Sequence, residues 1–310
     1  MERGMLGTKR LLQRAGQKAA VDTGVFASGS GRLNPEQSDR FIDYIIDQSV
    51  VMKTGIRVRR MNADRADLDK ISVGARVLRK ATEGLAPSDL VGVTTAKRQL
   101  VVTEIILPAD VTFTWLEDNI ERDNFEDHLM QMFGIQLAND LEELALIGDK
   151  SSGDPFIGIE DGWLKIAAAI PGANTFALNG SKDFRNVIFE GMLEKLPPKF
   201  KGNRAALRYY VSTNNAEKYQ FQLGQRQTVG GDQWVTGQAP LTYGSIPIVG
   251  APFMPDNQVV LTLPDNLVFG IRRDVSLGIF KHERKRVWEY TWTLRVDFEI
   301  VEGTALVIAS

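Results

Sequence analysis

The longest helical pattern in the chain runs from Glu121 to Gly148. Its large apolar residues recur at steps of three and four, which places them on one face of a helix. They are Phe125, Leu129, Met132, Phe133, Leu137, Leu141, Leu144 and Ile147. At a rise of about 1.5 Å per residue, the helix would be roughly 35–40 Å long. We predict a rigid helix that Asp123 or Asn124 caps and that Gly148 ends in the left-handed conformation.

The strictest alternation of apolar and polar residues runs from Val287 to Phe298. Alternation with a period of two is typical of a strand that buries one face. The apolar face would carry Trp288, Tyr290, Trp292, Leu294, Val296 and Phe298. The polar face would carry Glu289, Thr291, Thr293, Arg295 and Asp297. A strand of a dozen residues spans roughly 40 Å. Since it matches the long helix in length, we predict that the helix packs over its apolar face.

The remaining pattern divides the chain into segments of different type. Asn34 and Pro35 are typical of a helix start, and the apolar stripe behind them would end near Gly55. That stripe is Phe41, Ile42, Ile45, Ile46 and Val50. The predicted segments are an extended arm (1–33), a helix (34–55), a polar β excursion (56–110), a strand and the long helix (111–178), a compact unit of alternating helices and strands (179–272) and final strands (273–310). Helices that alternate with strands suggest an α+β or α/β unit within this succession, and we predict an α+β protein for the chain as a whole.

Composition removes several classes of chemistry from consideration. The chain has 310 residues and a net charge of −2, and it contains no cysteine and two histidines, His128 and His282. Disulfides, thiolate catalysis and cysteine-based zinc sites are therefore excluded, and neither histidine has a partner at metal-ligand spacing. Glycine-rich phosphate-binding motifs are also missing. We predict no catalytic residue, no cofactor and no metal site, and no apolar run is long enough to cross a membrane.

Charge is distributed unevenly along the chain. Between Met52 and Lys80 there are nine arginines and lysines against three aspartates, a net charge of +6. Between Trp115 and Asp161 there are 13 acidic residues against two basic ones, a net charge of −11. The first 20 residues carry a net charge of +4. The polar excursion is thus basic, whereas the region of the long helix is acidic.

Three stretches, taken in this order, carry a resemblance to a known family. FGIQLANDLEELALIGDKSSGDPFIGI spans residues 133–159, YGSIPIVGAPFMPDN spans 243–257, and LVFGIRRDVSLGIF spans 267–280. Together they resemble the major capsid protein of tailed bacteriophages, whose fold encapsulin shells share. The resemblance implies an N-terminal arm (1–33), an N-terminal helix (34–55) and an E-loop (56–110). It further implies a P-domain with a long spine helix over long β-strands (111–178), an inserted α/β A-domain (179–272) and the return strands of the P-domain (273–310).

The resemblance implies a structural protein and no enzyme. Such a protein assembles into pentamers and hexamers of an icosahedral head that encloses double-stranded DNA. Expected partners are copies of itself, a separate scaffolding protein, a portal and a decoration or cement protein, with no membrane. We expect a separate scaffold or an already processed chain because only 33 residues precede the first helix. The expected location is the virion, after assembly in the host cytoplasm. Two alternatives stay open: an encapsulin-type compartment shell, and a soluble α+β enzyme of unknown chemistry.

The resemblance also places the two charged regions against each other, because the E-loop of this family lies across the P-domain of a neighbouring subunit. The basic contact candidates are Arg57, Arg59, Arg60, Arg76, Arg79 and Lys80. The acidic candidates are Glu126, Asp127, Asp140, Glu142 and Glu143. The arm candidates that would face DNA or a scaffold are Arg3, Lys9, Arg10, Arg14 and Lys18. The alternatives are that both regions are solvated faces and that the arm is a solubilising tail.

Overall fold

The structure is a computed structural model that describes residues 35–73, 93–114, 125–224 and 240–310. Its side chains are described for residues 38–69, 97–114, 131–224 and 240–310. The predicted arm 1–33 lies outside these ranges, as do the predicted caps Asn34, Asp123 and Asn124.

The described helices and strands follow the predicted succession. The α-helices are α1 (Pro35–Gln48), α2 (Phe125–Ile147), α3 (Trp163–Ala169), α4 (Phe189–Lys195), α5 (Pro198–Lys201) and α6 (Thr213–Gly224). The strands are β1 (Arg57–Met61), β2 (Arg65–Val73), β3 (Val93–Val101), β4 (Thr103–Thr112), β5 (Asn174–Phe176), β6 (Arg208–Ser212), β7 (Thr242–Tyr243), β8 (Ile246–Ala251), β9 (Val259–Thr262), β10 (Leu267–Arg272), β11 (Ser276–His282), β12 (Val287–Ile300) and β13 (Leu306–Ala309).

The first sheet is built around β12, the strand predicted from strict alternation. Val296 pairs with Thr103 of β4 and with Ile271 of β10, so these two strands lie on opposite edges of β12. Thr293 pairs with Ser276 of β11 as well as with β4, so β10 and β11 follow each other along one edge. Strand β1 adds to β10 in parallel. The long strand therefore joins all parts of this sheet.

Helix α2 packs over the apolar face of β12, as predicted. The ring centres of Phe133 and Trp292 lie 4.9 Å apart. Leu141 and Leu144 are buried in the same core as Leu294, Val296 and Phe298 of β12. Because the helix and the strand are both long and share this closely packed apolar contact, α2 and the sheet beneath it form a rigid two-layer unit.

Helix α1 crosses α2 at a glycine. A Cβ atom at Gly134 would lie 2.8 Å from the ring of Tyr44, so a larger residue would push the helices apart. Ile42 and Ile45 of α1 are buried in the common core. Val50, which was predicted to belong to this stripe, is instead 43% exposed, since α1 ends at Gln48. Gly55 has a φ of +93° and ends the short 3₁₀ turn that follows α1.

The second sheet has the order β5-β13-β9-β6-β8-β7 and its own core. Phe189 of α4 and Tyr209 of β6 are fully buried there, with ring centres 4.6 Å apart. The Tyr209 hydroxyl donates a hydrogen bond of 2.8 Å to the Phe189 carbonyl. This unit contains most of the compact part predicted within 179–272, together with β5 and β13 from outside that range.

Three of the expectations from the sequence are corrected by the strand pairing and the helix ends. Strand β10 lies inside the predicted segment 179–272 but pairs with β12 of the first sheet, because its apolar residues complete the core under α2. Strand β13 lies in the predicted return segment 273–310 but pairs with β9 of the second sheet. Gly148 is not in the left-handed conformation. Its Cβ position lies 2.3 Å from the carbonyl oxygen of Glu160, so close approach of the next loop is what requires glycine.

Candidate assembly surfaces

The hairpin β2–β3 is the described part of the predicted E-loop. It is attached to the first sheet through a small apolar cluster, separate from the main core, formed by Met61, Leu68, Leu100 and Val268. Val268 points away from α2, because the neighbouring residue Phe269 belongs to the core under that helix. The hairpin therefore starts on the outer face of the sheet, opposite the long helix.

One carboxylate lies directly under the start of the hairpin. Asp297 of β12 is 8% exposed, and its side chain accepts hydrogen bonds from the backbone N–H of Val101 at 2.6 Å and of Phe298 at 2.8 Å. Burial raises its pKa to about 7, and the nearby carboxylate of Glu160 adds to the effect. Strand alternation placed Asp297 on the polar face but gave no signal that the hairpin covers it.

The basic side chains of β1 point in two directions. Arg57 and Arg59 are exposed, and neither makes an ion pair with any residue that the structure describes. Arg60 points the other way and pairs with α1, with Asp39 at 3.4 Å and with Asp43. The contact of Arg60 with another chain stays a prediction, although its charge is already paired within this chain.

The acidic face of α2 is less exposed than its sequence indicates. Glu142 is 2% exposed and accepts hydrogen bonds from the hydroxyl of Ser49 and, at 2.7 Å, from the backbone N–H of Val50. The predicted contact of Glu142 with another chain is therefore wrong, since this carboxylate fixes the end of α1 to α2. Asp140 and Glu143 remain partly exposed.

Several predicted contact residues lie outside the described side chains. These are Arg3, Lys9, Arg10, Arg14, Lys18, Arg76, Arg79, Lys80, Glu126 and Asp127. Their roles remain predictions.

The loop after α2 compensates much of its own negative charge. The ammonium of Lys165 lies 2.5 Å from Asp149 and 2.7 Å from Asp161. Hydrogen bonds from Lys165 and Ser151 lower the pKa of Asp149 to about 2. The buried Glu160 pairs with Lys150. The net charge of −11 therefore overstates the charge that a partner would meet, because these acids are paired within the chain.

The described residues contain neither a candidate metal site nor a candidate membrane-spanning helix. Within them, no three or more histidine, cysteine, aspartate or glutamate side chains converge into a possible metal site. No helix in the described ranges is long and apolar enough to cross a membrane.

Comparison with known proteins decides the fold. No protein-family model matches the chain. The putative prophage capsid protein YqbE of Bacillus subtilis (strain 168) is 29% identical over 307 residues, which cover 94% of this chain and 96% of that one. A chain in the structure of the satellite phage P4 procapsid with its size determination (Sid) protein matches 100% of this chain and 98% of its own length, with a TM-score of 0.69 and 12% identity. This protein has the phage major capsid fold.

The capsid of the native GTA particle gives the same result over 84% of this chain and 89% of its own, with a TM-score of 0.62 and 15% identity. The resemblance drawn from the sequence is therefore confirmed at the level of the phage capsid fold. The division into arm, E-loop, P-domain and A-domain at the residue limits given above stays a prediction, with the two strands β10 and β13 reassigned as described.

Proposed function

We propose that this protein is the major capsid protein of a phage head, a structural protein that assembles with copies of itself into a closed shell. The observation that carries the proposal is the match of the whole chain to a chain in the structure of a satellite phage procapsid. The sequence relative, which is named a prophage capsid protein and aligns over nearly its full length, supports the same function. The protein is a component of the virion and acts by packing, not by catalysis.

The finer part of the proposal concerns the shell and its contents. The subunits form pentamers and hexamers of an icosahedral head around double-stranded DNA, and assembly takes place in the host cytoplasm. A separate scaffolding protein, a portal and a decoration protein act with it. The basic arm contacts DNA or scaffold through nonspecific phosphate or carboxylate pairing, which weakens as salt concentration rises.

Electron microscopy of the purified full-length chain tests the proposal. Closed shells built from five-fold and six-fold clusters are the expected result. Shells that form in the absence of phage components and retain host enzymes in place of nucleic acid would instead indicate an encapsulin-type compartment. A chain that stays monomeric at every concentration and salt condition would contradict both kinds of shell.

The exposed arginines of β1 are proposed as an inter-subunit contact. Arg57 and Arg59 have no ion-pair partner among the described residues, whereas Asp140 and Glu143 on α2 remain available to a neighbour. Exposed ion pairs are each worth roughly 0–1 kcal/mol, so their main effect is on orientation and on the rate of association.

Charge reversal tests this contact. Reversing both arginines to glutamate should raise the protein concentration needed for assembly by up to about tenfold at low salt, and the difference should shrink at high salt. A matched control reverses two other exposed cations, Arg40 and Lys53. If both double variants assemble like the unmodified chain, or both fail equally, the proposed contact is refuted.

A further inference from the structure

The hairpin β2–β3 is held at its start by few interactions. Its described strands pair only with each other, and the apolar contact with the sheet is the four-residue cluster around Leu100. Ion pairs add to it: Arg98 pairs with Glu299 at 3.6 Å, and Asp64, which directly precedes β2, pairs with Arg272 and, at 3.6 Å, with Arg295. The start of the hairpin, which we call the hairpin root (residues 65–69 and 97–101), is thus a small contact beside a large core.

The hairpin root covers a carboxylate that lacks a cation. Asp297 accepts two backbone hydrogen bonds, one of them from Val101 in the root itself. It makes no ion pair with the described residues, although a carboxylate that is buried without a counter-charge is costly. Opening of the root would return this carboxylate to water.

The charged groups around Asp297 do not neutralise it. On its own strand, Arg295 pairs with Glu104 of β4 and Glu299 pairs with Arg98 of β3. From the loop after α2, the charge of Glu160 raises the pKa of Asp297, whereas Lys150, which pairs with Glu160, lowers it. From β1, Arg59 lies on the same face, separated from Asp297 by the intervening Gly270.

We propose that Asp297 makes the hairpin root a hinge: the root is closed when this carboxyl group is protonated and opens more readily when it is ionised. The inference concerns the single chain. Its consequence for assembly, that the hairpin can take different angles toward differently placed neighbours at neutral pH, rests on the proposed function.

The direction of the pH dependence follows from linkage. The folded-state pKa of Asp297, raised by burial to about 7, lies above the ordinary value of 3.8 that the group regains when the root opens. Protonation therefore favours the closed root. Opening should increase as pH rises from about 4 to about 7, and it should level off above pH 7, where the carboxyl is ionised in both states.

Hydrogen exchange of backbone amides tests the hinge in the full-length chain, kept below the concentration at which it assembles. Protection factors, corrected for the pH dependence of intrinsic exchange, are measured from pH 5 to pH 8.5. Peptides from the hairpin root should lose tenfold or more of their protection between pH 5 and pH 7.5. Peptides from β11, which pairs with the other end of β12, should keep theirs.

Three substitutions assign the effect. Asp297→Asn should remove the pH dependence, because the neutral amide carries no charge to solvate. Its single oxygen can accept only one of the two backbone hydrogen bonds, so protection of the root should be constant with pH and lower than that of the unmodified chain at pH 5. Asp110→Asn, the same change at an exposed position of β4, should leave the profile unchanged. Glu299→Gln should retain most of the pH dependence of protection in the hairpin root.

The hinge is refuted if protection of the hairpin root does not change with pH in the unmodified chain. It is also refuted if the pH dependence persists in Asp297→Asn, or if only Glu299→Gln abolishes it. If Asp297→Asn fails to fold, the profile of the unmodified chain still decides. A chain that shows this profile but forms no shells would overturn the proposed function and leave the hinge intact.

Discussion

Replacement of Leu141 by alanine perturbs the contact between α2 and the sheet beneath it. The Leu141 side chain is 1% exposed and lies in the core with residues of α1, α3 and β12. The change deletes three buried carbon atoms and leaves a cavity that the stiff helix cannot collapse. Such Leu→Ala changes cost about 2–5 kcal/mol of unfolding free energy. We expect a loss in that range.

Met132 provides a matched control on the same helix. Its side chain is 61% exposed, although its spacing in the sequence assigned it to the same apolar face as Leu141. Met132→Ala should cost less than about 0.5 kcal/mol, as is usual for surface positions. Both changes introduce alanine into a helix, so the small gain in helix propensity nearly cancels between them.

Urea unfolding of the unassembled chain, followed in parallel by fluorescence and circular dichroism, gives the two free energies. Coincident transitions are required before they are compared. A Leu141→Ala variant that loses no more stability than Met132→Ala would refute the packing of α2 over β12 as the main source of stability in this two-layer unit.

Two further substitutions follow from close contacts around α2, and the same unfolding measurement tests both. Gly148→Ala should cost about 1–3 kcal/mol, because the added methyl group would overlap a backbone carbonyl, whereas Gly153→Ala, with open space around it, should be nearly neutral. Equal effects would contradict the close approach. Glu142→Ala should cost about 2–4 kcal/mol, since two donors near the end of α1 lose their acceptor, whereas Glu143→Ala on the next position should change little. A neutral result at Glu142 would contradict its role as a fixed internal acceptor.

The sequence predicted the elements that have a clear period. Helix α2 and strand β12 each bury one face over many residues, so periods near 3.6 and 2 identify both and indicate that they pack together. The exposed position of Met132 shows that its assignment to the buried stripe was wrong. At about 100° per residue, Met132 lies about 180° around the helix from Leu141, so the period itself separates the two residues.

The buried acids mark the limit of the sequence pattern. Glu142 and Asp297 look like ordinary polar-face residues, and their donors lie 93 and 196 positions away in the chain. A periodic pattern reports which face a residue is on, not which distant segment later covers it. Strands β10 and β13 pair outside the segments 179–272 and 273–310 in which they lie for a related reason, because a short apolar strand suits either sheet equally well.

The most direct test of the central claim is cryo-electron microscopy of shells assembled from the full-length protein. We expect closed shells in which every subunit shows a helix of about 35 Å over a long strand, with the β2–β3 hairpin extending from the outer face of that sheet toward a neighbouring subunit. Shells whose hairpins stay folded against their own subunit, or a protein that remains monomeric, would contradict it.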